Sequence, residues 1–325
     1  VITNCCDGLF PITTASNQGV KMSLILPSDY HSIQQIQQNN LIQWIPSDQT
    51  DDLPASRHLR IGILNIMPIG HQYELNILNS LGFTNFVIEP IWIKLKTHTY
   101  KTWPNGYVEK FYVTYKEAKD QGNLDGFIIT GTPLEHLKFE EITYWNEIVS
   151  IMDDARDNVP STLGLCWAGM AMAYLLGVKK IVYEQKLFGV FQLENKAPNH
   201  PIMSATDDRF FCPQSRNAGM DNEDIEKAES RGDLKALAYS EEVGYPIYET
   251  PDHKQVIHLG HPEYNSSRLA YEAKRDSADP NVPPIKNFDF TNPSNVWKMH
   301  RHTFYQQWVK FCYEKSYPVG ISDKY

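Results

Sequence analysis

Between residues 59 and 177 short apolar runs alternate with segments whose apolar residues recur at helical spacing. Residues 59–64 (LRIGIL) are nearly continuous in apolar character, the pattern of a strand buried on both faces. Leu75, Leu78 and Leu81 recur every third residue, which predicts a helix over 71–81 that stops at Gly82. Further strands are expected over 86–95, over 125–130 (DGFIIT, followed by Gly131-Thr132-Pro133) and over 161–165. Helices are expected over 140–155 and over 167–176, the latter ended by Gly177. Repeated β–α units on short loops predict an α/β fold, a parallel sheet flanked by helices. Beyond residue 186 the pattern weakens. Short strand-like pieces (187–193, 236–239, 255–260) separate polar loops and are expected to fold over the sheet's carboxyl edge. A short polar helix over 266–276, a loop over 276–295 containing Pro280, Pro283, Pro284 and Pro293, and an amphipathic helix over 296–313 complete the reading. Residues 1–21 show neither periodicity nor a signal-peptide layout and are expected to be a loose extension, with 22–325 forming a single domain.

Composition narrows the function class. The 325 residues are 42% hydrophobic, enough for a sizeable core. Lys+Arg number 30 against 39 Asp+Glu, a formal charge of −9, so no basic stripe supports a nucleic-acid or anionic-membrane partner. No apolar run approaches the roughly 18 residues of a membrane span. The five cysteines (Cys5, Cys6, Cys166, Cys212, Cys312) are odd in number and never spaced CxxC, which supports neither a disulfide framework nor a structural zinc site. HExxH, Walker and GxGxxG motifs are absent, so no metal and no bound organic cofactor is expected. These features suit a soluble, cytoplasmic protein.

Residues 161–170 (STLGLCWAGM) carry the strongest chemical signal. Cys166 stands where an apolar strand gives way to a helix, with Gly164 before it and Ala168-Gly169 after it. A nucleophile on a sharp strand-to-helix turn needs small neighbours, because the backbone is strained and other chain passes close. The helix would aim its N-terminal amides at the sulfur, favouring the thiolate and offering the Trp167 N–H to a developing oxyanion. On the cysteine alone a buried core residue is the stronger reading; the glycine spacing and the strand–helix junction reverse it. A thiol nucleophile needs a base, and the base an orienting group. Residues 255–264 (QVIHLGHPEY) offer both: His261 and Glu263 are two apart after an apolar strand, on one side of an extended chain, and Pro262 biases His261 towards extended backbone. His258 has the same parity and reads as a satisfied strand histidine.

Together these segments resemble the class I glutamine amidotransferase-like superfamily and, more narrowly, the homoserine O-acyltransferases (homoserine O-succinyltransferases) of methionine synthesis. The likeness runs from about residue 22 to about residue 313. Its further supports are 59–68 (LRIGILNIMP), 125–135 (DGFIITGTPLE), Tyr144-Trp145, 186–191 (KLFGVF), Asp207-Asp208, 213–216 (PQSR) and Arg275-Asp276. The resemblance implies a flavodoxin-like three-layer sandwich and a triad of Cys166, His261 and Glu263. Cys166 would take the acyl group of acyl-CoA as a thioester, His261 would deprotonate the thiol and then the acceptor hydroxyl, and Glu263 would hold His261. Trp167 and Leu134 would supply the oxyanion amides. Lys186, Ser215 and Arg275 fall where the family binds substrate, and Arg216 is a further anion-binding candidate; taken alone, Arg275 reads as a surface arginine and Lys186 as a solvated loop residue.

Glu135 stands where the family tends to have Glu in acetyl-CoA users and Gly in succinyl-CoA users. A carboxylate there fills space and repels the succinyl carboxylate; the alternative is a cap on the following helix. The resemblance thus implies acetyl transfer from acetyl-CoA, a co-substrate, to L-homoserine, with small molecules as the partners and a homodimer as the suggested assembly. Hydrolysis or glutamine amidotransfer on the same scaffold is the rival chemistry. Three departures from the family pattern bear on the acceptor: Gln214 for His, Ile69-Gly70-His71 for a Thr-Lys type sequence, and Ala168-Gly169-Met170 for Gly-Ala-Gln. L-serine is the rival acceptor, since one methylene is worth only about 1–3 kcal/mol of discrimination.

Overall fold

The computed structural model describes residues 23–39, 42–50 and 58–318; the expected extension over 1–21 lies outside the described residues. Its strands are β1 (Ser23–Leu26), β2 (Gln43–Pro46), β3 (His58–Leu64), β4 (Val87–Lys94), β5 (Val113–Thr114), β6 (Gly126–Ile129), β7 (Thr162–Leu165), β8 (Lys180–Asn195), β9 (Arg209–Met220), β10 (Lys235–Ser240), β11 (Gly244–Glu249) and β12 (Gln255–His258). The helices are α1 (Ile33–Asn39), α2 (Gly70–Leu81), α3 (Tyr107–Phe111), α4 (Tyr115–Asp120), α5 (Trp145–Asn158), α6 (Trp167–Leu175), α7 (Asn222–Arg231), α8 (Ser266–Asp276) and α9 (Lys298–Ser316). One sheet joins all the strands in the order β2-β1-β4-β3-β6-β7-β12-β11-β10-β8-β9, with β5 against β4.

Alternation along the central strands makes three layers. On β6, Ile128 faces one core and Phe127 and Ile129 face the other; on β12, Val256 and Ile257 divide the same way. The first core is closed by α2 (Tyr73, Ile77, Leu78, Leu81) and α9 (Phe304, Tyr305, Trp308), the second by α5 (Ile148, Ile151, Met152) and α6 (Trp167, Met170, Ala171). Gly177 ends α6 as expected: it takes a left-handed φ of 86°, and the Val178 amide reaches back to the Ala173 carbonyl.

Two expectations are corrected. The sheet is mixed: β2, β1, β4, β3, β6, β7 and β12 are parallel neighbours, with β5 parallel to β4, while β11, β10, β8 and β9 add antiparallel. The chain beyond residue 186 therefore widens the sheet instead of folding over its carboxyl edge. The expected piece over 187–193 lies within β8, whereas β9 escapes the apolar pattern because it buries Gln214 and Arg216, whose guanidinium donates to Gln214 Oε1 and the Tyr183 hydroxyl. The helix expected over 140–155 starts at Trp145, after a separate 3-10 turn over Phe139–Glu141. The α1, α3, α4 and α7 helices and strands β1, β2 and β5 were not anticipated; all are short or polar.

Candidate active site

Cys166 sits between β7 and α6 with φ 49° and ψ −113°, a strained conformation for a residue with a Cβ. Its neighbours make the turn possible. A Cβ on Gly164 would lie 2.4 Å from Met172 Sδ, and one on Gly169 would lie 2.9 Å from the Gly164 carbonyl, so strand and helix meet at glycine. The Cys166 amide donates to the His258 carbonyl (2.8 Å), and its own carbonyl accepts the Met170 amide (3.0 Å), closing the first turn of α6. Trp167 is the first helical residue, so its N–H has no intrahelical acceptor and stays available beside the sulfur.

Parallel pairing of β12 with β7 sets His258 opposite Leu165 and so brings His261 to the sulfur. The His261 segment is a turn, closed by the Tyr264 amide on the His261 carbonyl (3.2 Å), and not the extended chain expected. The turn still joins the two side chains: His261 Nδ1 lies 2.7 Å from Glu263 Oε1, both residues being buried. Tyr264 stacks on the imidazole at 4.2 Å, and the Tyr73 hydroxyl donates to the same Glu263 oxygen (2.6 Å). Burial opposes a charge on His261, but the charges of Cys166 and Glu263 and a hydrogen bond to each hold its pKa well above the ordinary imidazole range.

These groups open on a cavity of about 250 Å³ whose wall includes Cys166, His261, Glu135, Lys186, Ser215 and Arg275. Lys186 Nζ pairs with Asp276 Oδ2 (2.7 Å) over the Phe188 ring, and Arg275 grips both oxygens of Asp276 (2.5 and 3.0 Å). Ser215 Oγ donates to Glu272 Oε2 (2.8 Å), while Tyr264 and Arg268 hold Glu272 Oε1. Burial would raise the Glu272 carboxyl, yet the charges of Arg268, His261 and Lys186, with the Ser215 bond, keep it below its ordinary value. Glu135 is buried, and its carboxylate has no hydrogen-bond or ion-pair partner among the described residues. It caps no helix, because the next turn is capped at Lys138 and α5 starts after Tyr144.

Two expected site residues point elsewhere. Arg216 is absent from the cavity wall: its guanidinium donates to Gln214, Tyr183 and the carbonyls of Ala218 and Val243. Leu134 also lies off the wall, and its amide donates to the Thr132 carbonyl (2.9 Å). Of the three family departures only Ile69 borders the cavity. Gln214 is buried behind Gly260, where a Cβ would come within 2.4 Å of its Nε2, and Ala168, Gly169 and Met170 pack inside α6. Sequence reasoning missed Tyr73, Tyr264, Arg268 and Glu272; Tyr264 and Glu272 flank segments already singled out, whereas Tyr73 carries no local signal.

Two clusters have metal-compatible residue types, His200–Glu249–His253 and Cys212–His258–His300. In each, one histidine Nδ1 accepts a backbone amide (Ile202 to His200, 3.2 Å; Gly260 to His258, 3.1 Å), which puts the hydrogen of the neutral ring on the nitrogen facing its partners. The first group reads as a hydrogen-bonded cluster, with His200 and His253 each 2.6 Å from Glu249 Oε1; in the second, His258 meets His300 at 3.4 Å and Cys212 bonds neither. No helix among the described residues is long and apolar enough to cross a membrane.

Comparison with known proteins agrees with this geometry. The family model described as homoserine O-succinyltransferase matches residues 23–319. The chain belongs to the homoserine O-acyltransferase family. A homoserine O-acetyltransferase of Jannaschia sp. is 37% identical over 266 residues, covering 79% of this chain and 83% of that protein. One from Acetivibrio thermocellus is 35% identical over 283 residues, covering 82% and 88%. Among solved structures, SMU.1228c aligns with a TM-score of 0.51 at 13% identity, over 78% of this chain and 99% of that one. A glutamine amidotransferase from Thermotoga maritima aligns at 0.48 and 14% identity, over 79% and 97%. The likeness to SMU.1228c shows a shared α/β fold, a central sheet flanked by helices.

Proposed function

We propose that this acyltransferase moves an acetyl group from acetyl-CoA to the hydroxyl of L-homoserine, a step of methionine biosynthesis, through a thioester on Cys166. The Cys166 sulfur attacks the thioester carbonyl of acetyl-CoA, the helix-start amide of Trp167 faces the developing oxyanion, and the carbon–sulfur bond to CoA breaks. His261 gives its proton to the departing CoA sulfur. It then takes the proton of the acceptor hydroxyl, whose oxygen attacks the acyl-enzyme and releases Cys166. Glu263 keeps the imidazole oriented and balances its charge throughout. Lys186, Ser215 and Arg275 hold the acceptor's ionic groups together with Asp276 and Glu272.

The observation that carries the choice of acetyl is Glu135, a buried carboxylate without a partner on the wall that also bears Cys166. An anionic succinyl group there would meet a like charge inside the cavity. The test is an acceptor panel with acetyl-CoA, in which CoA release is followed with L-homoserine, L-serine or water alone. Rapid release with L-homoserine supports the reading. Preference for L-serine would move the enzyme to cysteine biosynthesis, and equal release in water would make it a hydrolase.

A further inference from the structure

A second cavity, of about 680 Å³, opens at the same edge of the sheet where β4 ends. Its wall carries Lys94, Lys96, His98 and Lys101 together with Tyr100 and Trp103, and Glu109 is its one acidic residue. In a chain of charge −9 this is a local reversal of sign. None of the three lysines has an ion-pair partner within 4 Å among the described residues, although Glu117 lies near Lys94 and the Glu147 carboxylate accepts the Lys96 and Thr97 amides at the rim. Three lysines around one cavity, with Glu109 the one acidic residue on its wall, repel each other, and an anion with several charges relieves that repulsion.

The aromatic part is firmly built. Tyr100 and Trp103 meet edge to face at 5.3 Å, His98 packs on Tyr100 at 4.6 Å, and the Tyr100 hydroxyl accepts the Leu95 amide (2.9 Å). The partly exposed His98 and Tyr100 rings, backed by the buried Trp103, suit a purine. The wall between this cavity and the active site is one loop thick. Trp103 Nε1 donates to the Met67 carbonyl (3.2 Å) and the Ile69 amide to Thr102 Oγ1 (3.0 Å), while Met67 and Ile69 themselves line the active-site cavity. Strands β4, β3, β6 and β7 are parallel neighbours, so the end of β4 lies three strand spacings from Cys166, about 14 Å. An extended pantetheine arm spans that distance. Another cavity, of about 740 Å³, also touches Lys186, but Glu184, Asp221, Glu223, Glu241 and Glu242 on its wall would repel phosphate.

We propose that the cavity at the end of β4 binds the nucleotide of acyl-CoA, with Lys94, Lys96 and Lys101 meeting its phosphates and Tyr100 and Trp103 forming the wall beside its purine. This rests on acyl-CoA being the donor, as proposed above. The test uses the full chain and two probes, adenosine 3′,5′-bisphosphate by calorimetry and the ratio of kcat/KM for acetyl-CoA to that for acetyl-pantetheine. In a Lys94→Gln/Lys96→Gln/Lys101→Gln variant, bisphosphate affinity and that ratio each fall at least about tenfold, the loss expected from even one charge-assisted hydrogen bond. Wild-type bisphosphate affinity also weakens with added salt. The proposal is overturned if both quantities stay within twofold, or if Lys286→Gln in the acidic cavity lowers them instead. Binding of the bisphosphate through these lysines without transfer from acetyl-CoA would sink the donor reading and leave the nucleotide site standing.

Discussion

Replacing Glu135 by Gly removes the one carboxylate on the wall of the Cys166 cavity that has no hydrogen-bond or ion-pair partner among the described residues. Two like charges about 4 Å apart repel by about 4 kcal/mol at an effective dielectric constant of about 20. The cavity is open at one side, so roughly half of that is a sound working value. Each 1.4 kcal/mol is a factor of ten in rate, so Glu135→Gly should raise kcat/KM for succinyl-CoA by roughly 30-fold to 1,000-fold. Acetyl-CoA, which bears no charge at that end, should change by less than about tenfold. Folding should tolerate the change, because the Lys180 ammonium near this residue bonds its backbone carbonyl, which the variant keeps. The assay is initial-rate CoA release with both donors at saturating acceptor. A wild type that prefers succinyl-CoA, or a variant whose succinyl rate stays within about threefold, would refute the reasoning.

The other predictions concern Glu263, Tyr73 and the buried His300. Glu263→Gln withdraws the counter-charge 2.7 Å from His261, so kcat should fall by about 10²–10⁴-fold. The alkaline limb of the pH–rate profile should move to lower pH, because the imidazolium is no longer held above its ordinary range. Tyr73→Phe removes a hydrogen bond to a buried carboxylate and should cost about 1–3 kcal/mol in thermal or urea unfolding. Since Tyr73 lies off the cavity wall, kcat should fall while KM holds, and a change confined to KM would argue against its role. His300 is pushed down to about 3 by burial, so the unfolded chain binds a proton that the folded chain refuses between roughly pH 6.5 and that value. Wild-type stability should therefore decline on acidification more steeply than that of His300→Phe, by about 1.4 kcal/mol per pH unit; parallel unfolding curves against pH would contradict this.

The legible parts of the chain were those where local pattern and tertiary role coincide. LRIGIL and DGFIIT are buried on both faces, so continuous apolar character reported them directly. The Cys166 turn was legible because Gly164 and Gly169 are forced by strand–helix contact, a constraint written in the residues themselves. Strand β9 was not, since it buries Gln214 and Arg216, the guanidinium donating to Gln214 Oε1, and buried polar residues look like loop polarity. Arg216 illustrates the same limit at the site: a guanidinium beside Ser215 suggested an anion, but adjacent residues on a strand face opposite ways. Tyr73 reaches Glu263 from 190 positions away, a contact that only the packing of α2 against the sheet creates.

The central claim is that Cys166 carries the acyl group. Intact-mass spectrometry of the protein mixed with acetyl-CoA and no acceptor should show one added acetyl group on the wild type. The adduct should disappear when L-homoserine is supplied and should not form on Cys166→Ala, which should also lose turnover. Full activity in Cys166→Ala, or an adduct on another residue, would contradict the account.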